Sequence, residues 1–540
     1  MSAEDRPLAV ATWRPKGGVA VRRFVAALLG AMLTFAALPL RADDLKVSVA
    51  SGTLVGFVSR DGAVRSFKGI PYAVPPVGAL RWRPPQEVAA WDGTREATRF
   101  GPACPQPGPI PGSFYQREFF PSSEPQSEDC LYLNIWTAAA SGADRRPVIV
   151  FLHGGAYYGW SGSMAAYDGT NLARKGAVVV TINSRLGAFG FLAHPELDQE
   201  SPNHVSGNYG VLDQQAALRW VKSNIAAFGG DPERITLLGH SAGAASVGYA
   251  MAAPLAKGLF RRAIVMSGSV FGTAGPTPGL AFAEQGGKKL AAELGAPSIA
   301  ALRDMPAARI VAHIGRNAGA YGLRPVLDGW VLPKDTPEVL AAGEQNGDEV
   351  ILGSVADEGT ALLPPTTPAR LQATIKQWFG SQADPIAALY AGADDKAAST
   401  AQEHLLSDYG AAMARVAASL SAQHGHPAWV YRFNRAAPGS DPVDVGAFHG
   451  AELVYVFGTL NTVDRPWEEA DRRLADTMSS YCVRFAMTGN PNGPGLPDWP
   501  SYDGTSRYVA EFGGPGDAAS AKSAPLMEGY LSARLSSLRH

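Results

Sequence analysis

Charge is scarce in this 540-residue chain: 18% of its residues are Asp, Glu, Lys or Arg, and 47 basic residues face 49 acidic ones. A formal charge of −2 with no basic stripe argues against a nucleic-acid partner, which needs a concentrated positive surface. Cysteine is scarcer still: three residues cannot build a disulfide-dense scaffold, although they leave room for one bridge. No histidine or second cysteine stands at ligand spacing beside any of them, so a zinc site is not expected. The sequence shows no internal repeat, no low-complexity tract and no evident linker. After residue 42 it has no apolar run of the roughly 18 residues a membrane-spanning helix needs. What it does have is apolar residues, 46% of the total, normal for a packed globular protein and too many for a mainly disordered one.

The first 42 residues read as an address. Arg22 and Arg23 precede the apolar run 24–40, which ends in Leu40-Arg41-Ala42 before Asp43-Asp44. A positive start, a short apolar stretch and a small residue at the break are the features of a secretory signal peptide. The arginine pair hints at twin-arginine export. The expected mature protein is periplasmic or secreted, with no stable insertion in a membrane. The leader holds six basic residues (Arg6, Arg14, Lys16, Arg22, Arg23, Arg41) and two acidic ones (Glu4, Asp5). Cleavage therefore leaves 41 basic against 47 acidic residues, a net charge of −6. In an oxidising compartment a bridge between Cys104 and Cys130 would pin the Pro- and Ser-rich stretch between them. Cys482, at helical spacing in an apolar segment, reads as a buried small hydrophobe.

Along the mature chain, short runs rich in strand-forming residues at 148–152, 177–182, 235–238, 263–266, 350–352 and 429–433 alternate with amphipathic stretches such as 212–228. That alternation predicts an α/β fold with a mostly parallel sheet covered by helices on both faces. Two helical regions, near 273–327 and 364–423, fall outside it and are expected to be insertions forming a lid at the C-terminal edge of the sheet. Residues 43–540 are expected to form one elaborated domain.

The chemistry concentrates at three places. Gly239-His240-Ser241-Ala242-Gly243 follows the run 235–238 and precedes a small-residue stretch able to start a helix. A serine between strand and helix, with glycines two residues to either side, is the pattern of a nucleophile elbow. Upstream, the run 148–152 leads into His153-Gly154-Gly155-Ala156-Tyr157-Tyr158-Gly159-Trp160. Acyl transfer needs hydrogen-bond donors aimed at the oxygen that becomes negative, and small residues let backbone N–H groups reach it. The N–H groups of Gly155, Ala156 and Ala242 are therefore the expected oxyanion hole. Tyr157, Tyr158, Trp160 and His240 are candidate pocket walls.

A serine needs a base and an orienting acid. Of ten histidines, His449 lies after the strand-like run ending at Phe433, as a loop-borne base should. His424, His426 and His540 lie in polar or terminal settings, and His153 belongs to the glycine turn. Between serine and histidine in the chain, the run from Val350 leads to the adjacent acids Asp357 and Glu358, and spacing does not choose between them.

The sequence resembles the type-B carboxylesterase and cholinesterase-like family. The resemblance extends through Phe67-Lys68-Gly69-Ile70-Pro71-Tyr72-Ala73, Pro75-Pro76-Val77-Gly78, Ser127-Glu128-Asp129-Cys130-Leu131-Tyr132-Leu133-Asn134-Ile135, Gly207-Asn208-Tyr209-Gly210 and Phe228-Gly229-Gly230-Asp231-Pro232. It implies an α/β-hydrolase fold and ester hydrolysis without metal or organic cofactor, on a small-molecule ester. It also implies Ser241 as nucleophile, His449 as base, Glu358 as acid, Gly155, Ala156 and Ala242 as oxyanion hole, and a Cys104–Cys130 disulfide. Two departures stand out: His240 where many members carry Glu, and Ala156 where the eukaryotic cholinesterases usually have a third glycine.

Overall fold

Six apolar runs picked out in the sequence become the parallel centre of a ten-stranded sheet. The computed structural model describes residues 45–119, 124–272, 277–439, 445–503, 505–514 and 527–531, so the expected signal peptide lies outside the described residues. The strands are β1 (Lys46–Val49), β2 (Gly52–Val55), β3 (Phe57–Val58), β4 (Arg65–Pro71), β5 (Thr94–Glu96), β6 (Tyr132–Thr137) and β7 (Arg146–Leu152). They continue with β8 (Val178–Ile182), β9 (Gly230–His240), β10 (Arg262–Met266), β11 (Glu349–Val355), β12 (Ala428–Phe433) and β13 (Val509–Phe512). The large sheet has the order β13-β12-β11-β10-β9-β7-β8-β6-β4-β3, and a small one has β1-β2-β5. From β13 to β8 every pairing is parallel; β6, β4 and β3 add an antiparallel flank.

The central strands read as unbroken apolar runs because both faces are covered. Val148, Val150 and Leu152 of β7 pack into one hydrophobic cluster, whereas Ile149 and Phe151 pack into another across the sheet. β10 and β11 divide the same way, Ala263, Val265, Val350 and Leu352 against Ile264, Met266 and Ile351, which is the period of two that pleating imposes. The predicted helix 212–228 runs over Tyr209–Asn224 and tightens into a 3₁₀ turn at Ile225–Phe228.

Both regions outside the alternation are helical. The first contains Leu280–Glu293, Ile299–Arg303 and Ala307–Ile314, and its opening residues 273–276 lie outside the described residues. The second contains Pro368–Phe379, Ala383–Leu389 and the long helix Asp395–Gln423, whose side-chain N-cap is Asp394. Cys104 and Cys130 are bonded, with Cα atoms 5.1 Å apart, and Cys482 is a buried free thiol. Among the described residues no helix is long and apolar enough to cross a membrane.

Strand register sets the site. Leu152 pairs with Gly239, His240 with Met266, Met266 with Gly353, and Val355 with Phe433. The segments that follow these residues therefore leave the sheet along one edge, and they carry the glycine turn, Ser241, the two acids and His449.

Candidate active site

Ser241 follows β9 and heads the helix Ala242–Ala252 with φ 57° and ψ −121°, a conformation that L-residues avoid. Such strain costs about 1–3 kcal/mol and persists only where neighbours over-determine it. The Ser241 N–H donates to the Met266 carbonyl at 3.0 Å, and its own carbonyl accepts the Ala245 N–H at 3.1 Å. The flanking glycines are there for close approach: a Cβ on Gly243 would lie 1.9 Å from the Leu152 carbonyl oxygen, and one on Gly239 2.3 Å from that of Gly243. Gly268 is a third contact of this kind, since its Cβ would lie 2.6 Å from the Ser241 carbonyl oxygen.

The glycine turn sits directly against this elbow. A Cβ on Gly154 would lie 3.0 Å from both Ser241 Cβ and His240 Nδ1. Beyond it the backbone enters the left-handed region at Gly155 (φ 100°), Ala156 (53°) and Tyr157 (65°), and again at Trp160 (74°). Ala156 is exposed and Ser241 partly so. Among the described residues, no acceptor takes the N–H of Gly155, Ala156 or Ala242. For Ala242 the reason is general: the first N–H groups of a helix have no partner within it.

The adjacent acids separate cleanly. Glu358 Oε2 lies 2.5 Å from His449 Nδ1, with both side chains buried. Its Oε1 accepts the Val355 N–H at 3.0 Å, and its backbone N–H donates to Ser407 Oγ of the helix Asp395–Gln423 at 2.9 Å. Asp357 faces the other way: its Oδ2 accepts the Ala447 N–H at 2.7 Å, and its own N–H donates to the Ala447 carbonyl at 3.1 Å. Asp357 thus staples the loop that carries His449, and Glu358 touches the imidazole.

Burial alone would lower the His449 pKa, but the Glu358 carboxylate overcomes it, and the histidine titrates above its ordinary value. His240 is fully buried, stacked parallel to Trp160 at 6.2 Å and 4.8 Å from the His449 ring. Burial, and then the neighbouring His449 charge, hold it well below its usual pKa, so it is a neutral imidazole. Tyr157 turns into the core against Phe191, with ring centroids 5.2 Å apart, and Tyr158 packs half-buried on the same cluster. Of the four candidate pocket residues, the structure brings Trp160 and His240 together beside the histidine.

Two participants escaped the sequence reading. Glu452 is fully buried, hydrogen bonded by the Ser267 hydroxyl, and pushed up to about 7 by burial and then by the Glu358 charge. The available signal was a lone acid in the otherwise apolar run 451–457 just after His449. Tyr115, inside the disulfide loop, donates its hydroxyl to the His449 carbonyl at 3.3 Å, and nothing local in the sequence marks it.

A serine at a strand–helix elbow on β9, an acid after β11 and a histidine after β12, arranged along the C-terminal edge of a mostly parallel sheet, define an α/β-hydrolase. Residues 43–524 match the model of the carboxylesterase family. The chain is 37% identical over 522 residues to the fumonisin B1 esterase of Sphingopyxis macrogoltabida, covering 92% of each protein. It is 35% identical over 462 residues to the para-nitrobenzyl esterase of Bacillus subtilis (strain 168), covering 83% of this chain and 91% of that one. A solved thermophilic PNB esterase superposes with a TM-score of 0.78 at 32% identity, over 90% of this chain and all of its own. The chain belongs to the carboxylesterase family and is a carboxylic ester hydrolase.

Proposed function

We propose that this enzyme cleaves small-molecule esters in two steps through an acyl-enzyme on Ser241, with His449 as base and Glu358 as acid. The observations that support the reading are a partly exposed, strained Ser241, three N–H groups with no acceptor among the described residues, and a buried His449–Glu358 pair whose imidazole lies 4.8 Å from the ring of the adjoining His240. His449 takes the Ser241 proton as Oγ bonds to the ester carbonyl carbon, and then returns it to the departing alcohol. Water, deprotonated by the same imidazole, releases the carboxylic acid. Glu358 holds the Nδ1–H tautomer and stabilises the imidazolium. The N–H groups of Gly155, Ala156 and Ala242 receive the oxyanion in both tetrahedral states.

The named relatives act on fumonisin B1 and para-nitrobenzyl esters. In this chain the neutral His240 removes an anionic group beside the nucleophile, which argues against a preference for cationic alcohols. Residues 43–540 act as one catalytic domain, exported after loss of 1–42. The paired Cys104 and Cys130 support an oxidising compartment. The test is Ser241→Ala, which should lower p-nitrophenyl ester turnover by roughly four to six orders of magnitude. It should also abolish covalent labelling by a fluorophosphonate. Turnover within tenfold of wild type would reject the nucleophile.

A further inference from the structure

We infer that Gln106 is a positioning residue for the oxyanion turn, its carboxamide clamping both backbone polar groups of Trp160; this rests on the serine-hydrolase reading above. Gln106 Oε1 accepts the Trp160 N–H at 2.6 Å, while Nε2 donates to the Trp160 carbonyl at 3.0 Å. The partners dictate the amide orientation: a backbone N–H needs the oxygen, and two carbonyls, Trp160 and Cys104 (3.1 Å), need the nitrogen.

The clamp falls where the turn has most need of support. Four of the six residues from 155 to 160 have φ between 53° and 100°, and three of these are not glycine. Each such residue costs about 1–2 kcal/mol relative to ordinary backbone, so the turn does not hold this shape by local preference. Within it, the Tyr158 and Gly159 N–H groups both reach the Gly155 carbonyl at 3.0 Å. From outside, the Gly187 N–H holds the Tyr157 carbonyl at 2.7 Å, and Gln106 holds the exit at Trp160. Without that second support, the Gly155 and Ala156 N–H groups lose their fixed direction toward the reacting oxygen.

Gln106 is itself braced. It lies two residues after Cys104, and its N–H donates to Gln126 Oε1 at 3.0 Å, across the mouth of the disulfide loop. The loop also reaches the other half of the site. Tyr115 bonds the His449 carbonyl, Phe114 packs edge-on to Phe448 at 4.7 Å, and Glu118 takes Arg465 with both carboxylate oxygens. One covalently closed segment thereby braces both the donors for the oxyanion and the turn bearing the base.

The test uses Gln106→Ala and Gln106→Met, the second keeping length and volume without polar groups. Active sites are counted by fluorophosphonate titration, and folding is checked by thermal melting. The readouts are p-nitrophenyl ester kinetics per titrated site and inhibition by a trifluoromethyl ketone, whose adduct with Ser241 places an oxyanion in the hole. Losing a whole donor costs about 100- to 1,000-fold, so misdirecting the donors should lower kcat by about 10- to 100-fold. KM should stay within threefold, and the ketone should weaken by the same factor as kcat/KM. A merely structural role would lower the titratable fraction or the melting temperature and leave kcat per site unchanged. Titrated Gln106→Met with kcat within threefold of wild type overturns the inference. Wild-type enzyme inert to the fluorophosphonate overturns the serine mechanism instead.

Discussion

Replacing Glu358 and Asp357 in turn separates two neighbouring carboxylates that composition alone makes equivalent. In Glu358→Gln the side chain keeps its length but loses the charge 2.5 Å from His449 Nδ1. In the mechanism proposed above, His449 becomes an imidazolium during attack on the ester. Opposite charges centred about 4 Å apart interact by about 4 kcal/mol at an effective dielectric of 20. Losing that term alone slows the reaction by about a thousandfold. The glutamine also presents an NH₂ that disfavours the Nδ1–H tautomer, taking the expected loss in kcat/KM to about 1,000- to 10,000-fold.

In Asp357→Asn, by contrast, an amide oxygen still accepts the Ala447 N–H, and the bond from the Asp357 N–H to the Ala447 carbonyl is untouched. That variant should keep activity within tenfold and lose about 1 kcal/mol of stability as a charge-assisted hydrogen bond becomes neutral. The assay is p-nitrophenyl acetate hydrolysis from pH 5 to 9, normalised to titrated sites. The proposed mechanism needs neutral His449, so wild-type activity should fall as pH drops through its raised pKa, giving an acid limb above the ordinary histidine value near 6.5. Without Glu358, burial dominates and the limb should move to lower pH. Equal losses in the two variants, or an acid limb unmoved by Glu358→Gln, would refute the assignment.

Glu452→Gln should likewise shift the acid limb downward, since the Glu452 charge helps to hold the His449 pKa up. The wild-type Glu452 carboxyl, raised from 4.5 to about 7, favours the folded state most when protonated. Wild type should therefore lose stability relative to the variant as pH rises from about 4.5 through 7, measured by urea denaturation across that range. Cys104→Ser with Cys130→Ser opens a closure of 26 residues, worth about 3.5 kcal/mol in the chain-entropy model, and should lower the urea midpoint accordingly. Ala156→Gly relieves a left-handed alanine at φ 53° and should leave kcat within threefold with no loss of melting temperature, whereas Gly243→Ala, meeting backbone at 1.9 Å, should fail to accumulate as active enzyme.

The centre of the fold was legible because six strands buried on both faces are runs of mostly apolar residues, β-branched or aromatic by preference. The margins of the sheet were not. β4 carries Lys68 and Gly69 across a register irregularity between Phe67 and Ile70, which breaks its alternation. β9 begins five residues before its apolar run, at Gly230, because Asp231 is held there by Arg145 and Arg234 rather than by hydrophobic burial. β13 is four residues at an edge, too short for any period to show.

The site divides by the same logic. Ser241 announces itself because the steric demands of its elbow fall on residues two places away, where glycine is the visible answer. Asp357 and Glu358 could not be told apart, because a loop has no period to say which side chain faces inward. The supports were invisible for a further reason: Gln106, Tyr115 and Glu452 reach their partners across 54, 334 and 185 residues of chain. The strained positions at the cleft, φ 53° at Ala156, 74° at Trp160 and 57° at Ser241, are unstable by local preference alone. Whatever keeps them in place must come from elsewhere in the fold. A local pattern can therefore mark a candidate site, whereas the contacts that hold its groups in register appear only once distant segments have met.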